Sequence, residues 1–212
     1  MSKKTILFDL DGTLTDSGEG VINCALLALE HFGLPLPDRE AMRVVVGPPL
    51  RDSFIRFGVK PEDVEEAVAI YRSRYIPIGL YENTPYPGIH AMLAALKEAG
   101  CKLYVATSKP EPMAVEVLEK FKLAPYFDMI CGATLDGSRD EKDKVIAYLL
   151  DQTGHQEDTV MIGDTHYDVL GAAAHGIKTI GVAWGYGTVE QMQKAGAVAI
   201  ADSPAALLEM LL

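Results

Sequence analysis

The chain has 212 residues, 49% of them hydrophobic, which is enough for one good core or for one core with a small accessory domain. Its 19 lysines and arginines against 30 aspartates and glutamates give a net charge of -11, which argues against nucleic acid polymers and anionic membrane surfaces as partners. Because no signal-peptide pattern and no apolar run of about 20 residues occurs, we expect a soluble, cytoplasmic protein.

Three cysteines are spread widely along the chain, at Cys24, Cys101 and Cys131. Their odd number, and the lack of a CxxC pair or a His/Cys cluster, argue against a disulfide framework and against a zinc site. We expect reduced residues of the core. Nothing in the sequence indicates an oligomeric state.

The first predicted element is a short β-rich strand at Thr5–Leu10. From about Asp16 to Tyr81 only helical patterns follow, which predicts an all-helical cap domain of residues 16–81 inserted into a core of residues 1–15 and 82–212. The Pro- and Gly-rich stretch ENTPYPGIH ends the insert and predicts a new helix at about Ile89. The helical patterns of the insert cover Val21–Phe32, Arg39–Val45, Leu50–Phe57 and Pro61–Ile78.

After the insert, short apolar runs alternate with segments of helical period. This alternation predicts the α/β class, with a doubly wound, Rossmann-like parallel sheet that has helices on both faces. The further strands are predicted at Cys101–Ala106, Met129–Cys131, Thr159–Gly163, Ile177–Val182 and Ala197–Ile200. The helices are predicted at Gly88–Ala99, Pro110–Phe121, Lys144–Thr153, Asp168–His175 and Pro204–Leu211.

Two aspartates follow the first strand in the stretch FDLDGT. Ligands of open α/β sheets bind beyond the carboxyl ends of the strands. Asp9 and Asp11 would point to the same side, where two like charges raise each other's pKa unless a cation lies between them. An EF-hand loop is excluded, since Thr13, Leu14 and Gly20 occupy its fifth, sixth and twelfth positions and a strand precedes it. The alternatives are a divalent metal site and a solvated turn with Asp as helix N-cap.

Two later strand-to-helix loops carry groups that suit an anion. Thr107 and Ser108 end a strand before a helix that begins near Pro110, so they either hold an anion at the helix N-terminus or serve as an ordinary N-cap. Lys142 or Lys144 opposes the macrodipole in the first turn of a helix, as a phosphate-binding lysine would. Taken alone, that lysine is more simply explained as part of a solvated helix start.

The fourth loop, VMIGDTHYD, has Asp164 after a strand and Asp168 in the first turn of the next helix. Aspartate is common at helix starts, so each residue also has an ordinary structural explanation. Four such loops in this order and spacing are hard to explain by structure alone, and they favour one catalytic site.

Together these residues resemble the haloacid dehalogenase-like superfamily of hydrolases over essentially the whole chain. The matching motifs are DLDGT at Asp9–Thr13, the strand-ending Thr107, the lysine near Lys142 and GDTHYD at Gly163–Asp168. The helical insert after the first motif, with the stretches GPPLRDSF, TPYPGI and GVAWGYG, is similar to the phosphoglycolate phosphatase and 5′-nucleotidase members. The resemblance implies a Rossmann-like core with a helical cap.

The resemblance also implies a Mg²⁺-dependent phosphatase of small phosphate monoesters. Asp9 would attack phosphorus and form an aspartyl-phosphate, while Asp11 would protonate the leaving oxygen and then activate water. Asp9, the Asp11 carbonyl and Asp164 would hold Mg²⁺, with Asp168 in support. The residues that would hold the phosphoryl group are Gly12, Thr107, Ser108 and Lys142.

Substrate choice would come from the insert, where the loop Gly47–Arg51 contains Pro48 and Pro49. Arg51 and Arg43 would suit a carboxylate such as that of phosphoglycolate, unless the loop is only a turn with solvated arginines. A nucleoside 5′-monophosphate would want an aromatic or apolar wall. The candidates for that wall, which are otherwise core residues, are Phe54, Tyr71 and Tyr75.

Several alternatives stay open. Lys142 is preferred over Lys144 for its spacing to the last motif, although neither is followed by the Pro-x-Pro of many relatives. His166 either lines the site or lies on the surface. A phosphomutase would use the same motifs, and a binding protein without catalysis is the alternative of another class.

Overall fold

A six-stranded parallel sheet forms the centre of the core in this computed structural model, which describes residues 4–154 and 158–212. The strand order is β5-β4-β1-β6-β7-β8, so the first strand lies between the second and the fourth strands of the sheet. This is the order of doubly wound nucleotide-binding sheets, in which ligands bind where the winding reverses. The strands of the sheet are β1 (Thr5–Phe8), β4 (Lys102–Pro110), β5 (Met129–Ala133), β6 (Thr159–Gly163), β7 (Lys178–Val182) and β8 (Ala199–Ala201).

Helices cover both faces of the sheet. Ile6 and Phe8 of β1 belong to one apolar cluster with the helices α4, α5 and α9, whereas Leu7 points to the opposite face and packs with α6 and α7. Such alternation is expected of a buried central strand. The core helices are α4 (Ile89–Glu98), α5 (Glu111–Lys120), α6 (Lys142–Thr153), α7 (His166–Ala173), α8 (Val189–Ala195) and α9 (Pro204–Leu211).

The doubly wound sheet is confirmed, and the boundaries of its elements shift by a few residues. β4 continues to Pro110 instead of ending at Ala106. The predicted last strand, Ala197–Ile200, is found at Ala199–Ala201. α8 was not predicted, since its segment VEQMQKA is short and polar and its start depends on the Thr188 side chain accepting from the Gln191 N–H.

The insert is helical, as expected, and is joined to the core by two very short strands. β2 (Thr15–Asp16) and β3 (Thr84–Pro85) pair antiparallel at its entry and exit. The prediction of no strand from Asp16 onward was therefore wrong at its first residue, because a two-residue strand has no periodicity to detect. The helices of the insert are α1 (Gly18–His31), α2 (Leu50–Arg56) and α3 (Val64–Tyr75), with 3₁₀ turns at Ala41–Val45, Pro61–Asp63 and Gly79–Tyr81.

Two predicted helices of the insert were wrong in type or length. The segment Arg39–Val45 forms only a 3₁₀ turn at its end, and Pro61–Ile78 divides into a 3₁₀ turn and α3, which ends at Tyr75. α1 packs closely on the last 3₁₀ turn because Gly20 has no side chain. A Cβ at this position would lie 1.9 Å from the Gly79 carbonyl oxygen. The boundaries of the cap domain at residues 16 and 81 stay a prediction.

The three cysteines lie in the core, as expected. Cys24 is in α1, Cys101 precedes β4 and Cys131 is in β5, and all three are buried with free thiols. Burial raises the pKa of Cys131 to about 12, which makes its thiol an inert core group. No helix among residues 4–154 and 158–212 is long and apolar enough to span a membrane.

Candidate active site

Three buried carboxylates meet at the carboxyl edge of the sheet. Asp9 follows β1, Asp164 follows the neighbouring β6, and Asp168 lies in the first turn of α7. One carboxylate oxygen of each lies within 4.8 Å of those of the other two. The adjacency of β1 and β6 brings together two motifs that are more than 150 residues apart in the sequence.

Lys142 is the cation of this cluster. Its Nζ lies 2.8 Å from Asp9 Oδ1 and 2.9 Å from Asp168 Oδ1, and it donates to the Ala106 carbonyl at 2.9 Å. α6 begins at Lys142, two residues before its predicted start. Lys144 is exposed and pairs with Glu141, so the structure brings Lys142, and not Lys144, to the carboxylates.

The electrostatics of the cluster leave negative charge uncompensated. Burial, aided by Asp168 and opposed by Lys142, raises the pKa of Asp9 to about 6. Burial, with Asp168 and Asp9 beside it, raises the pKa of Asp164 well above its usual range. Burial disfavours the charged form of Lys142, but Asp168 and Asp9 outweigh it and raise the pKa of that amine. Three carboxylates against one ammonium fit a divalent cation with oxygen ligands, such as Mg²⁺.

Asp164 is held by the loops on either side of it. Its Oδ1 accepts from the Thr13 hydroxyl at 3.1 Å, and its Oδ2 accepts from the Tyr186 N–H at 2.8 Å. Tyr186 belongs to the stretch GVAWGYG, in which Trp184 also donates its indole N–H to the Thr13 carbonyl. The sequence does not predict the contact of this loop with Asp164, because the contact joins segments that are distant along the chain.

Two glycines let the backbone close around Asp164. A Cβ at Gly12 or at Gly185 would lie 2.2 or 2.3 Å from Asp164 Oδ2. Gly12 also has φ +88, in the left-handed region that favours glycine. Its N–H donates to the Thr15 carbonyl at 2.8 Å. The structure thus gives Gly12 a steric role beside the carboxylate, and its binding of phosphate stays a prediction.

Asp168 orients Lys142 from the start of α7. Its Oδ2 accepts from both the N–H and the hydroxyl of Thr165, at 3.0 and 2.9 Å. This capping box begins α7 at His166, two residues before the predicted start, and leaves Oδ1 facing Lys142. His166 is half-buried beside the Tyr167 ring and does not line the cavity described below.

The end of β4 is irregular where Thr107 and Ser108 lie. The register between β4 and β5 shifts between Ala106 and Pro110, which frees the intervening residues from regular pairing. Such bulges re-aim side chains near active sites. Thr107 is buried and Ser108 is half-buried, and both line the cavity at the carboxylates. An anion-binding role for them stays a prediction.

Asp11 stands apart from the three clustered carboxylates. The predicted alternation requires that Asp11 continues the strand. β1 ends at Phe8, so Asp11 lies instead in the turn that follows. Its two carboxylate oxygens accept from the Lys109 ammonium at 3.0 and 2.9 Å. Lys109 was missed by sequence reasoning, because the predicted strand ended at Ala106 whereas β4 continues with irregular pairing to Pro110.

A cavity of about 110 Å³ lies between the carboxylate edge and the insert. Arg51 lines it, but its Nε and one terminal nitrogen donate to the Glu65 carboxylate at 2.6 and 3.0 Å. Arg43 stacks on Tyr186 and donates to the Gly185 carbonyl, and it does not line the cavity. The other lining residues of the insert include Gly47, Pro48, Pro49, Tyr71 and Tyr75.

The three proposed aromatic residues of the insert divide between core and cavity. Phe54 is buried in the insert and meets Tyr71 edge to face at 6.3 Å between ring centroids. Tyr71 stacks on Tyr75 at 5.0 Å, and both rings reach the cavity wall. The stacked pair gives the insert side of the cavity an aromatic surface.

Comparison with known proteins agrees with the geometry. A family model described as haloacid dehalogenase-like hydrolase matches residues 6–182. A solved structure titled as a predicted phosphatase from Clostridium acetobutylicum superposes with a TM-score of 0.95 at 40% identity, over 99% of this chain and 98% of that one. The match of nearly complete chains includes the helical insert.

Curated relatives carry several activities in their names. The tyrosine-protein kinase PtkA of Mycobacterium tuberculosis is 43% identical over 91% of this chain, which spans only 66% of that protein. A 5′-nucleotidase of Pseudomonas aeruginosa is 42% identical over 89% of this chain and 86% of its own length. A phosphoglycolate phosphatase of Caulobacter vibrioides is 34% identical over 91% and 84%. The chain therefore belongs to the haloacid dehalogenase-like hydrolase family.

Proposed function

We propose that this protein is a Mg²⁺-dependent phosphatase of small phosphate monoesters that works through an aspartyl-phosphate on Asp9. The observation that carries the proposal is the buried cluster of Asp9, Asp164, Asp168 and Lys142, whose Asp9 lines the same cavity as Asp11 and Thr107. Relatives named 5′-nucleotidase and phosphoglycolate phosphatase support a monoester as the substrate.

Each residue has a separate task in the proposed reaction. Asp9 attacks phosphorus, and the bond from phosphorus to the leaving oxygen breaks while Asp11 protonates that oxygen. In the second step Asp11 takes a proton from water as the water oxygen attacks, and Asp9 is released as a carboxylate. Lys142 and Thr107 hold phosphoryl oxygens during both transfers.

The metal completes the charge balance. Asp9, the Asp11 carbonyl and Asp164 would hold Mg²⁺, and Asp168 would support the site through Lys142. When bound, Mg²⁺ supplies positive charge that lets a phosphate dianion approach a carboxylate nucleophile. Lys142 contacts both Asp9 and Asp168 and offsets part of their charge, and a metal held there would offset charge that remains on the carboxylates and the substrate.

The substrate is phosphoglycolate or a nucleoside 5′-monophosphate in this proposal. A cavity of about 110 Å³ is small beside the ~300–1,000 Å³ of pockets that enclose drug-sized ligands, which favours the smaller ester. The stacked Tyr71 and Tyr75 rings favour the alternative substrate, a nucleoside 5′-monophosphate, whose nucleobase could pack against them. The loop from Gly47 to Arg51 borders the cavity and is the proposed specificity loop.

A panel of esters tests the proposal. Phosphate release is measured from phosphoglycolate, AMP and glucose 6-phosphate, with Mg²⁺ or with EDTA, for the wild type, Asp9→Asn and the control Asp202→Asn, whose side chain is exposed. We expect turnover that needs both Mg²⁺ and Asp9, and the best ester identifies the substrate class. Full activity of Asp9→Asn, or turnover in EDTA, would overturn the proposal.

A phosphotransferase is the second candidate, because the 43% identical relative is named a tyrosine-protein kinase. It would share the phosphoenzyme and differ in the acceptor, as a phosphomutase also would. Phosphoenzyme made with a labelled ester is offered water alone, a tyrosine peptide or a hexose phosphate. Transfer of label to either acceptor faster than release to water would favour that candidate over the phosphatase, and no turnover or labelling with any ester would indicate a binding protein.

A further inference from the structure

A second buried lysine, Lys109, lines the cavity. Its side chain is only 3% exposed, and its Nζ lies 3.0 and 2.9 Å from the two oxygens of Asp11. The same Nζ lies 2.5 Å from the hydroxyl of Tyr75, the last residue of α3 in the insert. A core lysine thus connects the carboxylate proposed as acid and base to a side chain of the insert.

The surroundings of this lysine give it no other ionic partner among the described residues. Lys109 reaches the cavity through the irregular end of β4, where the shifted register frees residues 107–109 from regular pairing with β5. Its ammonium also lies 5.0 Å from the centre of the Tyr75 ring. Burying an ammonium is costly unless it is paired and hydrogen-bonded, and Asp11 and Tyr75 meet that need.

We infer that Lys109 is a positioning residue for Asp11, and that Tyr75 fixes Lys109 when the insert lies over the core. The inference rests on the proposed function, in which Asp11 is the acid and the base. Sequence motifs assign the role of Asp11, but nothing in them assigns a partner to its carboxylate.

The contacts of Lys109 with both oxygens of Asp11 hold that carboxyl group in one place through the two half-reactions. In the first step Asp11 gives its proton to the leaving oxygen and becomes a carboxylate, and Lys109 keeps the group in position for that transfer. In the second step that carboxylate takes a proton from the attacking water. Lys109 keeps its own protons throughout, so its effect passes through Asp11.

The leaving group provides the test. An alkyl phosphate needs a proton on its leaving oxygen, whereas p-nitrophenyl phosphate leaves as a stable anion and needs little help. The ratio kcat/KM covers the steps up to the phosphoenzyme, so for p-nitrophenyl phosphate it hardly depends on Asp11 as an acid. The value of kcat also includes hydrolysis of the phosphoenzyme, in which Asp11 acts as the base.

For Lys109→Met we expect kcat/KM to fall ~100-fold or more with the alkyl ester, since general acid–base catalysis contributes ~10²–10⁴-fold. With p-nitrophenyl phosphate we expect kcat/KM to fall less than ~10-fold, kcat to fall further, and a burst of nitrophenolate to precede slow turnover. Tyr75→Phe removes only the hydroxyl and should show the same split at smaller size, with a larger loss of kcat/KM for the alkyl ester than for p-nitrophenyl phosphate. Asp11→Asn should show it at full size.

The matched control is Lys97→Met. Lys97 also places its Nζ 3.0 and 2.9 Å from the two oxygens of an aspartate, Asp128, but away from the cavity. This variant loses an ion pair of the same geometry and should keep both esters at wild-type rates. If Lys109→Met does not fold, Tyr75→Phe still carries the test.

Equal losses of kcat/KM with both esters in Lys109→Met or Tyr75→Phe would overturn the inference, because a structural defect does not distinguish leaving groups. Wild-type behaviour of Tyr75→Phe with both esters would overturn the role of Tyr75. If the wild type releases phosphate from neither ester, or Asp11→Asn shows no split, the proposed function itself fails, and that result is distinct from a failure of Lys109 alone.

Discussion

The two walls of the cavity are built in different ways. On the core wall, Asp9 lines the cavity, and its neighbours Asp164 and Asp168 each accept two hydrogen bonds and are fully buried. On the insert wall, Arg51 reaches the cavity but gives its donors to Glu65, whose side chain is 71% exposed. The carboxylates on the core side are fixed by buried contacts, whereas the charged group of the insert wall, Arg51, is held by an exposed partner that water can replace.

This difference separates reaction from recognition. Buried charges in fixed positions can stabilise a transition state without reorganising, which suits phosphoryl transfer. Exposed ion pairs contribute little to stability and can change partners, which suits a surface that adapts to different leaving groups. Lys109 and Tyr75 form the contact where the two walls meet.

The largest expected effect comes from disturbing the core wall with one methyl group. Gly12→Ala would put a Cβ 2.2 Å from Asp164 Oδ2 at a residue with φ +88, whereas Gly176→Ala would put one in open space at φ +70. Left-handed strain costs about 1–2 kcal/mol in both. Overpacking should add about 1–3 kcal/mol in Gly12→Ala alone.

Urea unfolding and phosphate release measure the pair. We expect Gly12→Ala to lose about 2–5 kcal/mol of stability and most of its activity, because the carboxylate must move, and Gly176→Ala to lose about 1–2 kcal/mol and keep its activity. Equal losses of stability and activity in the two variants would show that the contact with Asp164 adds nothing to the effect of Gly12→Ala.

A second prediction concerns the metal. At 100 times its dissociation constant, Mg²⁺ should stabilise the wild type by about 2.7 kcal/mol, which is about 5–10 °C in Tm for a chain of this size. Asp164→Asn should lose this shift, because one of the three carboxylates that would hold the metal is gone.

Calorimetry with Mg²⁺ or EDTA measures this shift without any activity assay. The exposed variant Asp202→Asn is the control and should keep the full shift. A full Mg²⁺ shift in Asp164→Asn would place the metal elsewhere and would contradict the assignment of the core wall as the metal site.

The same contrast explains what the sequence could predict. The strands, the doubly wound sheet and the clustering of Asp9, Asp164 and Asp168 were predictable, because strand ends of a parallel sheet share one edge. The hold of Tyr186 on Asp164 was not, because a backbone N–H carries no sequence signal. Lys109 was not either, because the predicted strand ended at Ala106, and its partner Tyr75 depends on how the insert packs.

The insert was predicted less well for a physical reason. Its last predicted helix breaks into a 3₁₀ turn and α3, and its links to the core are strands of two residues each. Elements this short take their conformation from tertiary contacts more than from local propensity. Gly47 and Arg51 line the cavity, and their role in specificity stays a prediction, while the engagement of Arg51 with Glu65 depends on two helices meeting.

The smallest expected effect concerns this pair on the insert wall. Glu65→Ala leaves the Arg51 guanidinium without its bidentate partner while Arg51 still borders the cavity. Because the pair is largely exposed, stability should change by only about 0.2–1 kcal/mol. A freed guanidinium can bind an anionic leaving group, so KM for phosphoglycolate should fall several-fold while kcat stays unchanged and AMP is unaffected. Arg51→Ala should leave KM for phosphoglycolate at or above the wild-type value. The control is Glu190→Ala, which breaks the exposed pair of Lys194 and Glu190 away from the cavity and should leave KM unchanged. Steady-state kinetics with both esters decide the matter: a KM for phosphoglycolate that does not respond to Glu65→Ala would mean that the insert wall selects by shape and not by charge.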